Sequence, residues 1–138
     1  MIRTARGGEL TAAELEAILV LRTAVFVVEQ DCAYQEVDGR DTLSTTWHAW
    51  TGDVDACLRV LTEPDGTRRI GRVCTAAAAR GKGLAAELMA AAVAEIGDTP
   101  SVLDAQAYAR GFYERFGYAA VGDEFDEDGI PHIRMVRG

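Results

Sequence analysis

Apolar residues along the chain fall into blocks of two different periods. Leu15, Ile18, Leu19, Val25 and Phe26, with Arg22 among them, recur at helical spacing. Ahead of them Thr11-Ala12-Ala13-Glu14 reads as a capping box, the Thr11 hydroxyl meeting the Glu14 amide while the Glu14 carboxylate reaches back. A helix is predicted to start there and to keep its apolar face inward as far as the run Phe26 to Gln30. Asp31 to Thr45 is polar, rich in carboxylates and marked by a turn-like Asp38-Gly39, which predicts loop with room for a short helix.

The period then shortens. Thr46 to Trp50 is strand-like, Thr51-Gly52-Asp53 turns, and Val54 to Thr62 is a second strand. In Glu63-Pro64-Asp65-Gly66 the proline sets φ and the glycine lets the chain reverse, so Thr67 to Thr75 is expected to return antiparallel. Leu84 to Ile96 is dense in good helix formers and closes on Gly97. Ser101 to Ala105 reads as a short strand and Ala109 to Phe116 as a helix stopped by Gly117. Tyr118 to Gly122 and His132 to Arg137 make a last strand pair. The order is one helix, three antiparallel strands, then helix, strand, helix and two strands, which predicts a layered α/β or α+β domain over residues 1–138.

A chain of 138 residues, 49% hydrophobic, buries a core without disulfides or metal. Cys32, Cys57 and Cys74 are isolated, with no CxxC pair or histidine cluster, and are expected as reduced, apolar filler with no metal bound. Met1 to Gly8 lacks the apolar stretch of a signal peptide and no run is long enough to cross a bilayer, so the expectation is a soluble, cytoplasmic protein with no membrane partner. The net charge of −8 argues against nucleic acid and slightly favours cationic substrates, although a solvated acidic surface explains it more simply.

Chemistry concentrates in two places. Arg80-Gly81-Lys82-Gly83-Leu84-Ala85 lies between a predicted strand and a predicted helix. Its glycines let several amides point one way and the helix behind adds its positive end, so the turn suits a pyrophosphate, with Arg80 and Lys82 supplying charge. It matches neither the Walker pattern nor the dinucleotide fingerprint. Further on, Tyr108, Phe112 and Phe116 form one stripe at i, i+4 and i+8 that core packing explains. Tyr113 stands off that stripe, where a phenol can donate a proton into a cleft.

The Arg80 to Ala85 turn, followed some thirty residues on by Phe112-Tyr113-Glu114-Arg115-Phe116-Gly117-Tyr118, resembles the two hallmark motifs of GNAT acetyltransferases. Val25 to Gln30, Tyr34 to Asp41, Asp104 to Ala107 and Glu127 to His132 resemble the ElaA-like branch, and the likeness covers nearly the whole chain. It implies a mixed, largely antiparallel sheet of six to seven strands, splayed near Thr75, with three to four flanking helices and acetyl-coenzyme A in the gap. By the same resemblance Val73 and Thr75 offer main-chain groups to the acetyl and pantetheine, Arg80, Gly81, Lys82, Gly83, Leu84 and Ala85 hold the pyrophosphate, and Gln106 touches the cofactor. Tyr113 falls on the tyrosine with which relatives protonate the departing thiolate.

Ala76 to Ala79 depart from the usual polar approach to the turn, and Ala85 stands where glycine is common; since the turn acts through amides, binding is expected to survive. The acceptor is an amine, a small molecule or a peptide, and the general base is open among Glu29, Glu36, Asp38, His48 and His132, with Glu29 preferred. Glu36, His48 and His132 are also candidate acceptor contacts, Glu127 to His132 forming a turn at that site. A non-catalytic sensor of coenzyme A is the competing class, and the protein is expected as monomer or homodimer.

Overall fold

In the computed structural model, which describes residues 1–138, the strands are β1 (Ile2–Arg6), β2 (Trp47–Thr51), β3 (Ala56–Thr62), β4 (Arg68–Thr75), β5 (Ser101–Gln106), β6 (Ala119–Glu127) and β7 (Ile130–Arg137). The α-helices are α1 (Ala12–Arg22), α2 (Leu84–Ile96) and α3 (Arg110–Glu114). One sheet takes the order β1-β2-β3-β4-β5-β7-β6. Every neighbouring pair is antiparallel except β4 and β5, which run parallel and meet only at Arg68–Ser101 and Arg69–Val102. Beyond those two pairs the strands part, and the sheet splays as the resemblance implies.

Side chains alternate across the sheet, so each face carries its own core. On one, Leu88, Met89, Ala92 and Ile96 of α2 pack on Ala49, Leu58, Val60, Ile70, Leu103, Ile133 and Met135. On the other, Ile18 and Leu21 of α1 pack with Val25, Trp50, Cys57 and Cys74. All three cysteines are free and buried. No helix is long and apolar enough to cross a membrane.

The capping box of α1 is present, with Thr11 Oγ1 accepting from the Glu14 amide at 3.1 Å and Glu14 Oε1 accepting from the Thr11 amide at 2.9 Å. The helix stops being α at Arg22, however, and continues as π-helix from Thr23 to Glu29. The expected run to Phe26 therefore changes pitch where it reaches the splay. Asp31 to Thr45 carries no helix.

Three strand expectations are corrected. β1 was hidden because Ile2, Arg3, Thr4, Ala5 and Arg6 form a half-exposed edge strand with little apolar alternation. The turn expected over Glu127 to His132 is confined to Asp128 and Gly129, at φ 53° and 78°, the left-handed pair of a two-residue hairpin. Pro131 sits instead within β7, and β6 runs past Gly122 to Glu127 across an irregularity between Val121 and Phe125. The expected last helix is shortened as well, α3 being a five-residue piece entered by a tight turn at Ala107–Ala109. Tyr108 consequently leaves the predicted core stripe and is 85% exposed, while Phe112, Tyr113 and Phe116 pack against the core.

Candidate active site

Where β4 and β5 part, a cleft of about 1040 Å³ opens. Its walls include Val25, Phe26, Glu29 and Gln30 from the π-helix, Gly71 to Thr75 from β4, Asp104 and Gln106 from β5, Tyr113 from α3 and His132 from β7. A smaller cavity of about 200 Å³ adjoins it at Thr75 and is lined by Arg80, Gly81, Gly83, Leu84, Ala85 and Phe112.

The smaller cavity is built from backbone. Gly81 and Gly83 hold φ 83° and 77°, values that an L side chain rarely adopts, and open space lies where a Cβ would stand on either. The amides of Gly81, Gly83, Leu84 and Ala85 donate to no group of the protein. Unpartnered amides at a helix N-terminus form an anion cradle. Arg80 is less free than its position in the turn implies: Nη1 and Nη2 each lie 2.7 Å from a Glu29 carboxylate oxygen, and Nε donates to the Thr75 carbonyl at 3.1 Å. The amides are therefore the unengaged donors of this turn, with Lys82 exposed beside them.

Tyr113 is half-buried in the cleft wall, its ring edge-on to Phe112 at 5.0 Å between centroids. Burial pushes its phenol above the ordinary value, and the neighbourhood of Tyr108 and Cys74 acts in the same direction. At neutral pH the group is a proton donor. Glu29 faces the opposite situation. The hydrogen bond from Arg80 holds its carboxyl below the usual range, and its side chain is 42% exposed, which makes it a weak base.

Two residues proposed for the acceptor side lie away from the cleft. His48 is buried in β2 and its Nε2 donates to the Asp41 carbonyl at 2.8 Å, so it supports the loop rather than the substrate. Glu36 is buried beneath the cleft wall, held by Arg22 and Arg72. Asp38 is likewise committed, to Arg59. His132 does line the cleft.

Sequence reasoning missed Arg72. Between Cys57 and Arg59 the β3–β4 register shifts, so that Arg72 and Val73 together oppose Leu58. Arg72 takes φ 53° in this bulge and reaches over the Tyr34 ring, 5.8 Å from its centroid. Arg22, Arg59 and Arg72 thereby converge on Glu36, Asp38 and Asp41 from three separate elements. Nothing in the sequence signals this cluster, because the bulge that aims Arg72 had no glycine to mark it.

The family model of the acetyltransferase (GNAT) domain matches residues 12–137. The chain belongs to the GNAT acetyltransferases. Within the GNAT family it stands in the ElaA-like branch: it is 41% identical to protein ElaA of Escherichia coli over 138 residues, covering 94% of this chain and 90% of that protein. A UPF0039 protein of Mycobacterium tuberculosis is 48% identical over 136 residues, covering 94% and 87%. The crystal structure of an acyl-CoA N-acyltransferase from Pseudomonas aeruginosa superposes with a TM-score of 0.94 at 43% identity, covering 100% of this chain and 99% of that one. This GNAT protein is accordingly an acyltransferase, and its seven-stranded splayed sheet is the family fold.

Proposed function

We propose that the protein transfers an acetyl group from acetyl-coenzyme A to a primary amine in the cytoplasm, both substrates being bound together. The observation that carries the reading is the continuity of the two cavities: an amide cradle at the start of α2 opens at Thr75 into a cleft whose wall holds a protonated phenol.

The Gly81, Gly83, Leu84 and Ala85 amides take the pyrophosphate, with Arg80 and Lys82 at the rim. Val73, Thr75 and Gln106 border the pantetheine and thioester, where β4 has lost its β5 partner. Main-chain amides at such a position stabilise the oxyanion of the tetrahedral intermediate. The amine attacks the carbonyl carbon, the C–N bond forms, the C–S bond breaks, and Tyr113 protonates the departing sulfur. Holding both reactants in one cleft supplies the proximity that direct attack requires. An alkyl amine with pKa ~10.4 is neutral in only about one molecule in 2500 at pH 7, so the acceptor arrives as an ammonium and must lose a proton first.

Acetyl-coenzyme A and desulfo-coenzyme A titrated into the protein test this directly, with thermal stability and amine-dependent thiol release as readouts. Saturable stabilisation with thiol release is the expected result. Stabilisation without release on a broad amine panel identifies a coenzyme A sensor instead, and absence of both ends the reading.

A further inference from the structure

The base is sought among groups that line the cleft and have a lone pair to offer. Glu29 is engaged by Arg80, Glu36 and Asp38 are closed by arginines, and His48 is buried behind Asp41. His132 differs from all of them. It opens the cleft side of β7, paired with Gln106 of β5 and Phe125 of β6, and its ring stacks on Phe125 at 6.0 Å.

Its two nitrogens have distinct surroundings. Nδ1 lies 2.7 Å from the Ile130 carbonyl, which can only accept, so Nδ1 carries a proton and donates. In the neutral ring Nε2 then bears the lone pair. Nε2 is 3.4 Å from Glu127 Oε2, a carboxylate that is itself an acceptor. Two acceptors face each other at hydrogen-bond range with no donor between them in the neutral state. A group carrying several N–H donors, or a proton on Nε2, resolves that arrangement. The ammonium of the acceptor supplies both in succession.

We infer that His132 Nε2 and the Glu127 carboxylate together receive the acceptor's ammonium, and that His132 takes the proton that frees the amine to attack. This rests on the transferase reading above. His132 is the catalytic base, while Glu127 is a positioning residue that docks the ammonium and then stabilises the imidazolium. The protons balance: the ammonium nitrogen loses two on becoming an amide, one leaving through His132 to solvent and the other ending on the coenzyme A thiol delivered by Tyr113. The acceptor end of the cleft is thereby specified as cation-binding.

Other titratable groups around His132 are accounted for. Asp104, two residues along β5, is held by Arg69 and Arg134, and the Cys32 thiol donates to the carbonyls of Gln30 and Asp128. Asp128 lies in the turn itself.

The experiment compares wild type, His132→Gln and Glu127→Gln, following kcat/KM against pH for a panel running from spermidine and a lysine-containing peptide to glycinamide and 2,2,2-trifluoroethylamine. Acetyl-coenzyme A binding by thermal shift serves as the check on folding. For wild type, kcat/KM should fall as pH is lowered. His132→Gln should lose about 10²–10⁴-fold in rate on the basic amines near neutral pH, with kcat/KM then climbing as pH is raised towards the amine's own ionisation, but far less on trifluoroethylamine, which needs no base. Glu127→Gln, at a side chain 54% exposed, should fold normally and raise KM for the basic amines more than it lowers kcat, because the ammonium loses its docking carboxylate. If His132→Gln binds acetyl-coenzyme A and slows basic amines and trifluoroethylamine equally, His132 is not the base. Failure of wild type to bind acetyl-coenzyme A or to release thiol with any amine overturns the transferase reading underneath.

Discussion

Glu36 Oε2 accepts from Arg72 Nε at 2.7 Å, which ties the bulge of β4 to the acidic loop beneath the cleft. The same oxygen accepts from Arg22 Nε at 2.7 Å, so one carboxylate oxygen is shared by guanidiniums from α1 and β4. Glu36 therefore bridges two cations, and the Tyr34 hydroxyl donates to its other oxygen.

Glu36→Gln should be strongly destabilising, since it leaves buried Arg22 with Asp41 alone, which Arg59 shares, and Arg72 with only a longer contact to Asp38. The expected loss is about 3–5 kcal/mol, read as a lower urea midpoint. A change below about 1 kcal/mol would show that solvent reaches the network and that the loop does not anchor the bulge.

Tyr113→Phe removes only the phenol oxygen, for which the protein provides no hydrogen-bond partner. Stability and acetyl-coenzyme A affinity should be unchanged, while kcat falls about 10²–10⁴-fold. Unchanged kcat would assign thiolate protonation to solvent.

Gly83→Val forces a β-branched residue into φ 77° at the start of α2. A cost of about 1–3 kcal/mol is expected, and the thermal stabilisation conferred by acetyl-coenzyme A should shrink with it because the amides are re-aimed. Retained ligand stabilisation would place the pyrophosphate elsewhere.

Acid should unfold the protein in two stages. Burial holds the His48 imidazole below its ordinary value of 6.5, so the unfolded chain takes up a proton there before the folded one does. Hydrogen bonding from Arg59 holds Asp38 well below the carboxylate range; at Asp41 burial acts upward but is outweighed by Arg22 and Arg59. All three bind fewer protons folded than unfolded in acid, so stability declines as pH falls, first below 6.5 through His48 and then more steeply below 3.8 through the two aspartates. Urea midpoints measured from pH 7.5 downward check this, and His48→Gln should abolish the first stage alone.

Elements with a strong local signal were legible in the sequence. The Thr11–Glu14 box, the Gly97 stop and the meander from Trp47 to Thr75 all follow from side-chain preference and turn chemistry. The places of Gly81, Gly83 and Tyr113 on the cavity walls were legible too, since glycines and motif spacing advertise themselves. What stayed hidden depends on partners distant in the chain. β1 exists because β2 offers it an edge, the π-helical pitch after Arg22 has no compositional marker, and the partner of Glu29, Arg80, lies 51 residues away. The His132 tautomer is set by a carbonyl, a group that every residue possesses.

The narrow seam between β4 and β5 has a consequence for how such a protein changes over generations. Two residue pairs make up the whole ladder between β4 and β5, the seam that separates the turn at Gly81 from the hairpin carrying His132. In a continuous sheet, a slip or insertion in one strand disturbs the register of its neighbours. Here such a change on the hairpin side stops at the gap. On the proposed reading, acceptor choice is thus free to drift through insertions and substitutions in β6 and β7, while β4 keeps its alignment.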